Sequence, residues 1–178
     1  MEADRFKDAM SQLASAVTIV TTGTREAPHG TTVSAFMSLS LDPPMVLVSL
    51  DRRSSLLAEL RKGTAVGINV LSTEQGALAR RFAHKGIDRF AGVSWELVDA
   101  APKLAGNHTW VAGDVSRIIE AGDHYLILVD VRAADVNSNM PLLYWQREFG
   151  THGTIEAGEV RAQSVETGGE AGRPSPSV

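Results

Sequence analysis

The chain has 178 residues, of which 43% are hydrophobic, 21% charged and 6% aromatic, with no cysteine and a net charge of −4. That length suits one domain with its own core, and the lack of cysteine excludes thiol nucleophiles, disulfides, cysteine-rich zinc sites and iron–sulfur clusters. A mild acidic excess without a basic cluster argues against nucleic-acid and anionic-membrane partners, which need lysine and arginine to neutralise phosphates.

The aliphatic runs at 45–48 and 125–129 fall far short of the roughly 18 apolar residues that span a bilayer. A soluble protein is expected. The acidic start leads into an amphipathic pattern rather than an export signal, which points to the cytoplasm.

Phe6, Met10, Leu13 and Val17 recur at helical spacing and predict an opening helix with one apolar stripe. The β-branched run 17–22 predicts a strand, and 23–30, with Pro28 and charged neighbours, a hairpin loop. Over 32–41, Val33, Ala35, Met37, Leu39 and Leu41 alternate with Thr32, Ser34, Phe36, Ser38 and Ser40. A strand here has an aliphatic side and a hydroxyl-rich side. Asp42-Pro43-Pro44 stops it, and 45–50 starts another strand, too continuously apolar to be half exposed.

Ser54 or Ser55 can cap a short helix through Leu60, and Lys62-Gly63 supplies its end. Strand-like text returns at 64–71. Ser72 and Gln75 match a capping box for a helix to about Phe82, with Arg80 and Arg81 at the negative end of its dipole. Further strands are expected at 95–98, 114–120, 125–131 and 142–145. Six or seven strands with short connections and three helices predict a mainly β fold, an antiparallel barrel with peripheral helices. The domain is expected to occupy 1–150. Residues 151–178, poor in large apolar side chains and rich in Gly, Ser, Pro and Glu, are expected to form a flexible tail.

The five histidines show no i, i+4 pair and no HExxH run, so metal is not expected. No GxSxG elbow, phosphate-binding GxxxxGK[ST] loop or GxGxxG after a strand is present, which removes the sequence support for hydrolase, nucleotidase and Rossmann dehydrogenase functions. The positive signal is the row Thr32, Ser34, Ser38 and Ser40. Such a row is common on any solvated strand, and it is also what grips the polar edge of a planar heterocycle held between apolar walls.

From Phe6 to about Gly150 the ordered motifs resemble the flavin reductase-like family. They run through 16–22, 30–44, Asn69-Val70-Leu71 with Gln75, Arg81-Phe82-Ala83, 90–93, Gly122-Asp123-His124 and 141–144. The resemblance implies a split β-barrel and a homodimer with flavin, FMN or FAD, near the dimer interface. It also implies a hydride supply from NADH or NADPH and a separate oxygenase that receives the reduced flavin. Its flavin contacts carry over to Thr32, Ser34, Ser38, Ser40, Ser54, Asn69, Gln75, Arg81 and Phe82, with Ser54 and Arg81 on the phosphate. His124 matches the histidine placed near the nicotinamide and is the candidate catalytic residue. The chain departs from the family pattern at Gly113, where a cysteine is usual, and near Val129, where a glycine is usual.

Several of these residues also have structural roles open to them: Gln75 in the capping box, Arg81 at the helix end, Ser54 as a cap, and Phe82 in the core. Asn69, an amide in an apolar strand, needs partners if buried. A related split-barrel flavin oxidase acting on a small substrate and a non-catalytic flavin-binding module are the alternative functions.

Overall fold

The structure is a computed structural model that describes residues 2–153. Seven strands form one antiparallel sheet in the order β3-β2-β6-β9-β10-β5-β4. They are β2 (Thr18–Gly23), β3 (Pro28–Val33), β4 (Phe36–Leu41), β5 (Pro44–Asp51), β6 (Ala65–Val70), β9 (Thr109–Ala121) and β10 (His124–Val136). A hairpin of β7 (Trp95–Val98) and β8 (Ala101–Leu104) and a small sheet of β1 (Ser15–Ala16), β11 (Leu143–Trp145) and β12 (Glu148–Gly150) flank it. The helices α1 (Ala3–Ser11), α2 (Ser55–Glu59) and α3 (Gly76–Ala83) lie outside the sheet's strands. The architecture is the expected mainly β, antiparallel, split-barrel type.

Ser34 and Ala35 join β3 to β4, the two edge strands, so the sheet must curl until its edges approach at that corner. The expected single strand over 32–41 is therefore two strands, and its hydroxyls are divided: Thr32 ends on β3, Ser38 and Ser40 ride on β4, and Ser34 stands at the corner. A register shift between Ser38 and Ser40 breaks the two-residue period again within β4. The hairpin loop after β2 is shorter than expected, because β3 already begins at Pro28.

Curling divides the core into two clusters. Val20, Val48, Leu56, Ile68 and Ile127 fill the barrel interior. Val17, Ile19, Leu71, Phe82, Phe90 and Leu104 pack outside the sheet. This is why β2 reads as a continuous β-branched run: both of its faces are covered, and Thr18 to Thr22 are all buried. Phe82 meets Phe90 edge-on at 5.0 Å between ring centres.

The first helix ends at Ser11, so Leu13 lies beyond it and Val17 belongs to the core. Its stripe faces outward, with Phe6 50% and Met10 45% exposed. The strands missed by pattern alone, β1, β8 and β12, are short or interrupted; β8 carries Pro102 at its centre. The expected tail falls largely on residues 154–178, which lie outside the described residues.

The two departures from the family pattern touch each other. A Cβ on Gly113 would lie 2.1 Å from the Asp130 carbonyl oxygen and 2.8 Å from Val129 Cγ1. Gly113 is therefore glycine because β10 passes too close for any side chain.

Candidate functional site

The curl leaves a cleft of about 610 Å³ where β3, the Ser34–Ala35 corner, the end of β5, the start of α2, the 85–90 loop and His124 converge. The size suits a drug-sized or cofactor-sized ligand. Ser34, Ser54 and His124, from three separate stretches of chain, line it together with Thr32.

At the C-terminal end of β5, Asp51 builds the turn that presents Ser54. Its carboxylate accepts from the Arg53 backbone N–H at 2.7 Å and takes the Arg53 guanidinium in a fork, 3.0 Å from Nε and 2.7 Å from Nη2. These bonds hold the Asp51 carboxyl far below the usual carboxylate range. Ser54 N–H donates to Asp51 O at 2.8 Å, and the Ser54 hydroxyl makes no capping bond. That hydroxyl is left for a ligand, and Ser34 beside the cleft is exposed.

His124 begins β10 directly opposite Asp51 in the β5–β10 register. Its Nδ1 lies 2.7 Å from Asp123 Oδ1. The hydrogen bond from His124, and then its charge, lower the Asp123 carboxyl below its ordinary value. An ionised carboxylate can only accept, so Nδ1 carries the proton and Nε2 is the nitrogen free for a ligand.

The other sequence candidates occupy different places. Thr32 lines the cleft, but its hydroxyl donates to Ala79 O at 2.7 Å. Ser38 and Ser40 lie on β4 and are not among the residues that line the cleft. Asn69 is fully buried: Nδ2 reaches Ile19 O, Thr21 Oγ1 and Pro102 O, and Oδ1 accepts from Leu104 N at 2.8 Å and Asn107 Nδ2 at 3.2 Å. Its amide is saturated by protein groups. Gln75 completes the capping box, accepting from Ser72 N–H at 3.0 Å and donating to Ala105 O at 2.8 Å. Phe82 sits in the outer core cluster. Arg81 donates to Asp88 O of the 85–90 loop at 3.0 Å and is not among the residues that line the cleft; its Nε is buried without a partner among the described residues.

Two cations that pattern reading passed over, Lys85 and Arg89, do line the cleft. Their signal is non-local: Arg89 enters only because its guanidinium crosses to Gly30 O on β3, at 2.6 Å. The donor set fits a flavin, with the Ser34 and Ser54 hydroxyls for the polar edge of a ring and cations that, among the described residues, have no carboxylate partner for a phosphate.

Known proteins resemble this chain over most of its length. The family model described as "Flavin reductase like domain" matches residues 10–153. The chain is 36% identical over 145 residues to the reductase component of a 4-nitrophenol 4-monooxygenase/4-nitrocatechol 2-monooxygenase from Rhodococcus opacus, covering 82% of this chain and 78% of that one. It is 37% identical over 155 residues to an NADH:riboflavin 5'-phosphate oxidoreductase from Streptomyces pristinaespiralis, covering 82% and 86%. Among solved structures, the Streptomyces globisporus C-1027 NADH:FAD oxidoreductase SgcE6, in complex with NAD and FAD fragments, superposes with a TM-score of 0.82 at 27% identity, over 88% of this chain and 96% of that one.

Proposed function

The chain belongs to the flavin reductase-like family, and from that membership and the cleft we infer that it is an NADH-dependent flavin reductase. It takes FMN or FAD as acceptor and supplies the reduced flavin to a separate monooxygenase. The observation that carries this reading is the convergence of Ser34, Ser54 and His124 on one cleft of flavin-sized volume. The redox chemistry belongs to the flavin, which when bound accepts hydride from the nicotinamide.

The residues contribute position and charge. Ser34 and Ser54 donate to the polar edge of the ligand, which gains negative charge on reduction. His124 offers Nε2 to the nicotinamide side, its ring fixed by Asp123. The Ser34–Ala35 corner supplies backbone against the ring, and the buried aliphatic wall behind it, Val33 and Leu56 among others, keeps water from that side. No covalent nucleophile is required.

The finer proposal on assembly is a homodimer. The edge strand β4 exposes Met37, Leu39 and Leu41 at 55%, 41% and 89%. An apolar edge next to the cleft needs a cover, and a second copy provides one. Among the described residues no helix is long and apolar enough to cross a membrane; dependence on NADH favours the cytoplasm.

Mixing purified protein with FMN or FAD and NADH, and following nicotinamide oxidation, tests the function. Rapid flavin-dependent turnover is expected. Flavin binding without turnover, or oxidation of a small substrate without nicotinamide, would replace this reading with a storage module or an oxidase.

A further inference from the structure

Outside the cleft, one fully enclosed donor has no answer within the protein. Trp110 is 2% exposed, and its indole Nε1 has no hydrogen-bond partner among the described residues. The strand registers define its surroundings. Trp110 of β9 pairs with Asn69 of β6, and Thr21 of β2 pairs with Gly67, two residues along β6 from Asn69. Two-residue alternation puts Thr21, Gly67, Asn69 and Trp110 on one face of the sheet, and β8 crosses that face with the Pro102 carbonyl turned to Thr21 and Asn69.

Gly67 contributes no side chain, and the space in front of it is polar. A Cβ there would stand 2.7 Å from Thr21 Oγ1, 3.0 Å from Pro102 O and 3.1 Å from Trp110 Nε1. Polar atoms from β2, β8 and β9 therefore converge on the open side of one glycine. The indole is pinned in this direction, because Lys103 Nζ lies 5.2 Å from the centre of its ring and is itself held by Asp135 at 2.6 Å. The acceptors around it have capacity to spare. Thr21 Oγ1 has one proton, its shortest carbonyl contact is Pro102 O at 2.6 Å, and only the Asn69 amide, at 3.3 Å, draws on its lone pairs. An unmatched N–H in a closed interior costs the desolvation of that group, and buried waters sit where about three protein polar groups meet.

We propose that the open side of Gly67 is a binding site for one structural water molecule, which accepts from Trp110 Nε1 and donates to Thr21 Oγ1 and Pro102 O. Through Pro102 this water joins the β7–β8 hairpin to β2 and β9. Glycine stands at 67 because a side chain would take the water's place. The site shares no residue with the cleft lining and does not depend on the flavin reading.

A crystal structure of the native protein, at a resolution that shows ordered water, tests the site directly. An oxygen peak is expected about 2.7–3.2 Å from Trp110 Nε1, within the same reach of Thr21 Oγ1 and Pro102 O. NMR supplies a second native readout. The Trp110 indole N–H, assigned by elimination with Trp95→Phe and Trp145→Phe, should show a nuclear Overhauser cross-peak to water with the sign of a molecule that tumbles with the protein. In Gly67→Ala the added methyl displaces the water, so the cross-peak should be lost while the indole signal remains. If that variant fails to fold, the two native measurements decide. A crystal in which Nε1 bonds Thr21 Oγ1 or Pro102 O directly, with no water between them, overturns the proposal. So does a native indole signal without the cross-peak, or a folded Gly67→Ala protein that keeps it.

Discussion

Asp123 and His124, adjacent in the turn that opens β10, are joined side chain to side chain at 2.7 Å. The bond commits Nδ1 and leaves Nε2, and the strand register sets this imidazole opposite Asp51 at the rim of the cleft.

His124→Ala should lower kcat/KM for NADH by about 10–100-fold, the scale of one hydrogen bond involving a charged group, with the FMN dissociation constant unchanged. Asp123→Ala should reproduce part of that loss by freeing the ring. Asp123→Asn retains an acceptor for Nδ1–H and should recover most of it. Steady-state kinetics with each substrate varied in turn separate these effects; equal losses for flavin and nicotinamide would contradict the placement of His124.

The divided hydroxyl row makes a sharp contrast among serines. Ser34→Ala and Ser54→Ala should each weaken FMN binding by about 3–10-fold, as expected for one neutral hydrogen bond of about 1 kcal/mol. Ser38→Ala and Ser40→Ala, on β4 outside the cleft lining, should leave it within about twofold, below even a weak bond of that kind. Fluorescence titration measures all four.

Gly113 and Val129 should be coupled. Gly113→Ala drives a Cβ toward Asp130 O and Val129 Cγ1 and should destabilise the fold. In a Val129→Gly background the side-chain part of that clash is gone, so the added cost should fall. A double-mutant cycle by denaturant unfolding should give a coupling on the order of 0.5–3 kcal/mol; strict additivity would contradict the contact.

Lys103 Nζ donates to Asp135 at 2.6 Å, tying β8 to β10. That bond, and then the lysine charge, hold the Asp135 carboxyl below its usual 3.8. A depressed folded-state pKa contributes stability that is fully present above the unfolded value and is lost as pH falls through the folded one. Asp135→Asn should therefore lower Tm at neutral pH, with the difference shrinking as the pH drops below 3.8 and vanishing once the native carboxyl is protonated. A Tm difference independent of pH would contradict the linkage.

The fold was legible where local pattern and tertiary need coincide. The β-branched 17–22 run and the Ser72–Gln75 capping box say what they become, because turn chemistry and two-sided burial leave their marks locally. The site was legible only in part. Alternation over 32–41 ran unbroken in the text, yet the corner at Ser34–Ala35 is a demand of sheet closure, which no local period encodes. Asn69 announced that it needs partners, but not that β8, hidden by Pro102, supplies them through Pro102 O and Leu104 N. Arg89 carried no signal at all, since its significance depends on Gly30 lying 59 positions away in the chain.

The most direct measurement of the central claim is a crystal structure of the protein with FMN. The ring is predicted to lie in the cleft against the Ser34–Ala35 corner, within hydrogen-bond reach of Ser54 and beside His124. A flavin seated instead on the outer face of β4, along Met37 and Leu39, with the cleft empty, would contradict the account.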